Sequence, residues 1–316
     1  MNKRRAFIVG LKNTFLDSDE IFFLKKNKPW GVILFHRNIK NLIQATRLVN
    51  QIKKCFDDKY YPILIDEEGG SVSRLKNILD TEAFTARSFG NYFNINKNNC
   101  LLNYQIYINT ISEILNKIGV NINTVPVLDV RRLKTNRIIN DRSYSSKKKV
   151  VSELGNYCIK YYGKNKIATV IKHLPGHGLS RLDSHLHLPL IKESKKILNE
   201  IDFMPFKNKK TFLGMTAHII YHEYDPFNSA THSKTVINDI IRKKIKFRNI
   251  LITDDISMKS LKFGFKKNII KSYDAGCNLV LHCNGKMNEM KQLAKISPLL
   301  DKFTVKKTSQ LYKFLM

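Results

Sequence analysis

I-A-T-V-I-K-H-L-P-G-H-G-L-S-R-L-D-S-H-L-H-L-P runs from Ile167 to Pro189. Its first six residues form a short β-branched and apolar run that reads as a strand. The run ends in Lys172 and His173, and Pro175, Gly176 and Gly178 then break the backbone. A strand that ends in polar groups and opens into a Gly/Pro loop delivers side chains from a rigid scaffold. The same unit recurs outward in both directions. Strands are predicted over 6–10, 31–35, 63–66, 120–125, 168–173, 212–218, 250–254 and 278–283, with amphipathic helical stretches such as 42–55, 102–117, 150–162 and 236–246 between them. Eight strands alternating with helices over this length predict an α/β fold, a single (β/α)8 TIM-type barrel spanning 1–316. An open doubly wound sheet is the alternative, weakened because no G-x-G-x-x-G turn follows the first strand. The last thirty residues carry no motif and are expected to add outer helices.

Four of the nine histidines (His173, His177, His185 and His187) lie in the opening stretch. A metal site is one reading, since imidazole is a common ligand. Pro175 and Gly176 prevent a helix from placing His173 and His177 on one face, and no cysteine pairs nearby with ligand spacing. A second reading has the histidines serving only loop hydrogen bonds. The third is acid–base chemistry by Asp183-Ser184-His185. An aspartate two residues from a histidine can orient the imidazole, whose unperturbed pKa of about 6.5 suits proton transfer near neutrality. That reading leads, and no metal or cofactor is expected.

Composition bounds the partners. Hydrophobic residues make up 43% of the 316, which is ordinary for a globular chain. No apolar run approaches the eighteen or so residues of a membrane helix, so no membrane insertion is expected. A-F-I-V-G near the start is too short for a secretory signal and reads as a first strand. Five scattered cysteines fit reduced thiols, and a cytoplasmic location is expected. The net charge of +29 raises a nucleic-acid partner. The excess is mostly lysine spread in short clusters, whereas a nucleic-acid surface would concentrate charge and use arginine forks. Diffuse solvated charge is favoured, and the same richness in Lys, Asn and Ile would follow from AT-biased coding.

A barrel demands that chemistry sit at the C-terminal ends of its strands. Arg37 and Asn38 follow G-V-I-L-F, Asp66 ends I-L-I-D, and Lys172 and His173 end the fifth strand. His218 ends the sixth, Asp254 the seventh, and His282 lies in the eighth. D-E-E-G-G-S-V-S-R (66–74) adds two glycines, read as letting backbone approach a ligand, and Arg74 eight residues after Asp66.

K-H-L-P-G-H-G followed by D-S-H and L-P resembles the signature of glycoside hydrolase family 3, in its bacterial β-N-acetylhexosaminidase branch. D-E-E-G-G-S-V-S-R is similar to the family's D-x-E-G-G-x-V-x-R, with Ser71 where an arginine is frequent. G-V-I-L-F-H-R-N-I (31–39), V-P-V-L-D-V (125–130), N-D-R-S-Y (140–144) and I-L-I-T-D-D-I-S-M (250–258) match in order. The resemblance implies that Asp66, Arg74, Arg142, Lys172 and His173 hold the terminal sugar. Asp129 would be a structural partner in the barrel mouth, and no chemistry is assigned to Arg37, Asn38 or Asp255. It implies Asp254 as nucleophile, His185 as general acid/base and Asp183 as the group that orients it. Leu179-Ser180 stand where relatives often carry an Asp-Thr pair, so packing of that loop is expected to differ.

The implied activity is that of a retaining β-N-acetylglucosaminidase of peptidoglycan recycling. It would remove non-reducing terminal GlcNAc from fragments such as GlcNAc-1,6-anhydroMurNAc-peptides, through a covalent glycosyl-enzyme and with loop closure completing the site. The expected partner is a cell-wall saccharide, and the expected state is a monomer. Alternatives are a β-N-acetylglucosaminide phosphorylase of the same family, since a neutral histidine would not repel phosphate, or a catalytically idle carbohydrate- or nucleic-acid-binding protein.

Overall fold

The computed structural model describes residues 3–132, 135, 137–180 and 187–316. Its strands are β1 (Arg5–Gly10), β2 (Pro29–Leu34), β3 (Ile63–Ile65), β4 (Ile122–Asn123), β5 (Ala168–Leu174), β6 (Leu190–Ile191), β7 (Leu213–Thr216), β8 (Ile220–Tyr221), β9 (Ile250–Asp255) and β10 (Leu279–His282). All but β6 and β8 close into a parallel barrel in the order β1-β10-β9-β7-β5-β4-β3-β2. Each of the eight predicted strands overlaps one barrel strand. β4 is shorter than its predicted 120–125, spanning only Ile122–Asn123. Bonding to β5 nonetheless continues past it, through Val170 N to Val125 O (3.0 Å) and Leu128 N to Lys172 O (2.8 Å).

Period-two alternation sorts the strand residues between two cores. Phe7, Val9, Leu251 and Val280 face the helices. Ala6, Ile8, Leu64, Ile122, Val170, Ile252 and Leu281 fill the barrel interior. Helix Leu42–Phe56 shows how the outer layer docks: Ala45, Leu48, Val49 and Ile52, at helical spacing, are buried, and Asn41 caps its first turn. The predicted helix 236–246 differs in winding. Val236–Lys244 is wide, with Ile245 N bonded to Ile240 O (2.8 Å), five residues back. The wider turn buries Val236, Ile237, Ile240 and Ile241 while Lys243 and Lys244 stay outside.

The last thirty residues carry helices Met287–Ile296 and Lys302–Leu315. The second lies across the N-terminal end of the barrel, where Leu311 and Leu315 join the interior core. Trp30 Nε1 donates to Thr308 Oγ1 (2.9 Å), and Arg4 binds both Tyr312 and Asp58. One end of the barrel is thus plugged. No helix among the described residues is long and apolar enough to cross a membrane.

Candidate active site

Interior residues change character one step above the last apolar layer. Two residues beyond Leu64, Ile122, Val170, Ile252 and Leu281, on the same strand faces, stand Asp66, Thr124, Lys172, Asp254 and Cys283. They open into a cavity of about 430 Å³ at the C-terminal mouth, lined by Asp66, Arg74, Arg142, Lys172, His173 and Asp254 among others. The volume lies within the roughly 300–1,000 Å³ typical of small-molecule sites. Every sequence-predicted site residue that is described therefore lines one cavity. Asp183 and His185, and with them the expected loop closure, lie outside the described residues.

One wall of the cavity is a network of paired charges. Lys172 Nζ lies 2.8 Å from Asp66 Oδ1, 2.6 Å from Glu68 Oε1 and 3.0 Å from Thr124 Oγ1. Its three protons are thus all met within the protein. Arg142 donates from Nε (2.7 Å) and Nη2 (2.9 Å) to the two oxygens of Glu68. Arg74 reaches Asp66 Oδ2 at 3.5 Å. Burial pushes the Asp66 pKa up, but Lys172 and Arg74 outweigh it and hold the group well below the carboxylate range. Burial likewise raises Glu68, and Arg142 with Lys172 bring it down to about 2. Lys172 and Arg142 are held charged in turn, their carboxylate partners offsetting the burial that lowers both.

Glu68 was not singled out by sequence reasoning. A signal existed: Glu68 stands two residues after Asp66, the spacing that returns a side chain to the same side of an extended chain. Glu67, between them, points elsewhere. It accepts from Arg74 N (2.6 Å), Leu75 N (3.0 Å) and Ser73 Oγ (3.1 Å), so it shapes the loop. The two glycines of this motif are required by the loop's own backbone. Gly69 and Gly70 have φ of 83° and 58°. A Cβ at Gly69 would lie 2.3 Å from Phe84 O, and one at Gly70 2.6 Å from Thr85 Cγ2.

A second wall is set by Asp129, fully buried. It accepts from His173 Nδ1 (2.8 Å), His173 N (3.3 Å) and His177 N (2.7 Å). A carboxylate only accepts, so Nδ1 carries the proton and Nε2 is the other face of the ring. Burial raises Asp129, but His173 and the His177 amide hold it below its ordinary value. Burial and the neighbouring His173 bring His177 down to about 4, so it is neutral near pH 7. The loop beyond is clamped: Tyr221 donates to Gly176 O, and Thr135 Oγ1 donates to Gly178 O (2.6 Å). A Cβ at Gly178 would stand 1.9 Å from Val130 O. The parallel pair β6–β8 then fixes the chain just past the D-S-H motif, with Ile220 N donating to Pro189 O (2.9 Å).

Asp254 lines the cavity from β9, while Asp255 is used internally, accepting from Ser257 N (3.1 Å), Ser257 Oγ (2.7 Å) and Cys283 N (3.1 Å). Arg37 and Asn38 tie loops together, donating to Leu11 O, Asn13 O and Cys283 O. The strand-end pattern overreached at two histidines. His282 is on the helix-facing side of β10, bonded to Glu289 (2.9 Å), and His218 is buried against Thr231 and the Asp255 carbonyl.

The fold and this mouth define a class. Residues 16–308 match the family described as glycosyl hydrolase family 3 N terminal domain, and the chain belongs to glycoside hydrolase family 3. Its relatives include the β-hexosaminidase of Haemophilus ducreyi, 30% identical over 288 residues that cover 88% of this chain and 80% of that one. β-Hexosaminidase A of Pseudoalteromonas piscicida is 28% identical over 79% of this chain, which spans only 45% of that protein's length. The crystal structure of NagZ from Neisseria gonorrhoeae in complex with N-trifluoroacetyl-D-glucosamine superposes with a TM-score of 0.87 at 25% identity, covering 99% of this chain and 90% of that one.

Proposed function

We propose that the chain is a retaining β-N-acetylglucosaminidase that releases non-reducing terminal N-acetylglucosamine from peptidoglycan fragments. The observation that carries this reading is the mouth cavity, where the Asp254 carboxylate shares one small space with Asp66, Arg74, Arg142, Lys172 and His173. The β-hexosaminidase relatives and the sugar-analogue complex of the Neisseria protein support the acetamido sugar as substrate.

In the proposed mechanism Asp254 attacks the anomeric carbon as the glycosidic C–O bond breaks. His185, oriented by Asp183, gives its proton to the leaving oxygen, a role that rests on the D-S-H motif and the family resemblance. The neutral imidazole then takes a proton from water, whose oxygen displaces Asp254 and frees the sugar with retained configuration. His173 and Asp66 position hydroxyl and acetamido groups. The barrel alone supplies these groups, with no metal or organic cofactor. A 1,6-anhydromuramyl peptide would be the aglycone and the cytoplasm the setting.

Release of 4-nitrophenol from its β-N-acetylglucosaminide and from its β-glucoside, with and without phosphate, tests the reading. It requires release from the acetamido sugar only, independent of phosphate. Phosphate-dependent formation of a sugar 1-phosphate would establish the phosphorylase instead. Silence on both sugars together with salt-sensitive nucleic-acid binding would establish the idle binder.

A further inference from the structure

We infer that Glu68 is the positioning residue of the sugar-holding wall, a buried carboxylate that fixes the Arg142 guanidinium and the Lys172 ammonium together. The inference rests on the glycosidase reading above and names a residue that reading does not use.

The side chain of Glu68 is 4% exposed and is absent from the lining of the mouth cavity. It stands behind the wall, beside a void of about 20 Å³ lined by Tyr104, Tyr107 and Tyr144 as well as Arg142. Both its oxygens are engaged: Oε2 by Arg142 Nε, and Oε1 by Arg142 Nη2 and Lys172 Nζ. A two-pronged carboxylate contact sets the plane of a guanidinium as well as its place. Which edge Arg142 turns to the cavity is therefore decided from behind.

The effect on Lys172 is indirect and reaches the sugar through Asp66. With its protons given to Asp66, Glu68 and Thr124, Lys172 bridges the two carboxylates. Glu68 thus holds the ammonium that holds Asp66, and Asp66 lines the cavity. A neutral amide at 68 would keep the volume but leave Asp66, already paired with Arg74, as the nearby carboxylate for Lys172 and Arg142 as well. Arg142 would lose its fork, and Lys172 would turn toward Asp66 alone.

The test compares wild type, Glu68→Gln, Glu68→Asp, Arg142→Gln and the Glu68→Gln/Arg142→Gln double variant. Each is measured for hydrolysis of 4-nitrophenyl β-N-acetylglucosaminide and, by calorimetry, for binding of N-acetylglucosamine. Loss of a charged hydrogen-bond partner predicts roughly a tenfold rise in KM for Glu68→Gln, with kcat changed less. Glu68→Asp keeps the charge on a shorter arm and regains part of the KM. In the Arg142→Gln background, the Glu68→Gln change costs much less than it does alone. Should Glu68→Gln fail to fold, Glu68→Asp carries the test, since an unchanged KM in it overturns the inference. Wild-type KM in Glu68→Gln, or fully multiplicative effects in the double variant, also overturns it. A wild type that binds the free sugar without cleaving it, with binding weakened by Glu68→Gln, sinks the hydrolase reading and leaves the inference standing. A wild type that neither binds nor cleaves overturns both.

Discussion

Lys172 is the residue on which the charge balance of the mouth turns. Its ammonium is almost completely buried and is the counter-ion of two carboxylates, Asp66 and Glu68. Removing one partner of a buried ion cluster strands the others in a poor solvent for charge, at a cost of about 3–5 kcal/mol. Lys172→Met should therefore lower the free energy of urea unfolding at pH 7 by that amount and abolish sugar binding with it. Lys243 provides the contrast: its pair with Asp239 is as short, at 2.8 Å, but both side chains are more than half exposed. Lys243→Met is expected to change stability by no more than about 0.5 kcal/mol, because solvent already screens that pair. Equal losses in the two variants would contradict the assignment of a buried network.

At the scale of elements, the loop that follows β5 is held from below by contacts its sequence only half announces. Gly178 lies against the Val130 carbonyl, where even a methyl group would overlap. Gly178→Ala must push the 175–180 segment away from the barrel, and the D-S-H motif proposed as acid/base follows within ten residues. The expected result is a fall in kcat of about tenfold or more with KM little changed, since a small misplacement of a catalytic group is costly. A change confined to KM would place the loop on the binding side instead. The strands of this mouth were legible as short apolar, β-branched runs because both of their faces are buried against a core, and several of them end in a polar residue. The loop glycines were legible as breaks, but what they avoid (Val130 O, Phe84 O, Thr85) comes from distant segments. Glu68 went unnoticed for a related reason: its partners Arg142 and Lys172 are 74 and 104 positions away in the chain. His218 and His282 were overread, since a strand end alone does not say which face a residue takes.

For the whole molecule, acid sensitivity follows from histidines kept neutral by burial. Burial brings His177 down to about 4 and His232 to about 3, and it lowers His218 as well. In the unfolded chain these rings take up protons near pH 6.5, whereas in the folded chain they do so only at lower pH. The unfolded state then binds more protons, so stability is lost as pH falls from about 6.5 toward 4. Asp202 acts the other way: burial pushes it up to about 6, above its unfolded value, so acid below that point relieves it. Glu20 and Glu67, also raised by burial, offset the loss in the same way, while the three histidines and the depressed Asp66, Glu68 and Asp129 tip the balance toward loss. Glu68, held down to about 2, adds a further loss between the ordinary carboxylate range and that value. The free energy of urea unfolding at pH 7, 6, 5 and 4 should fall steadily by a total on the order of a few kcal/mol; a flat profile over that range would contradict the buried neutral rings. The charge of +29 remains spread among exposed lysines, and the sequence had already suggested that distribution.

In the proposed mechanism Asp254 forms the bond to the sugar. The direct measurement is mass spectrometry of the chain quenched after reaction with a 5-fluoro N-acetylglucosaminyl fluoride, followed by peptide mapping. One added glycosyl group is expected, carried on Asp254 and lost in Asp254→Asn. A label on Asp255, or turnover of the acetamido sugar with no covalent adduct at all, would contradict it.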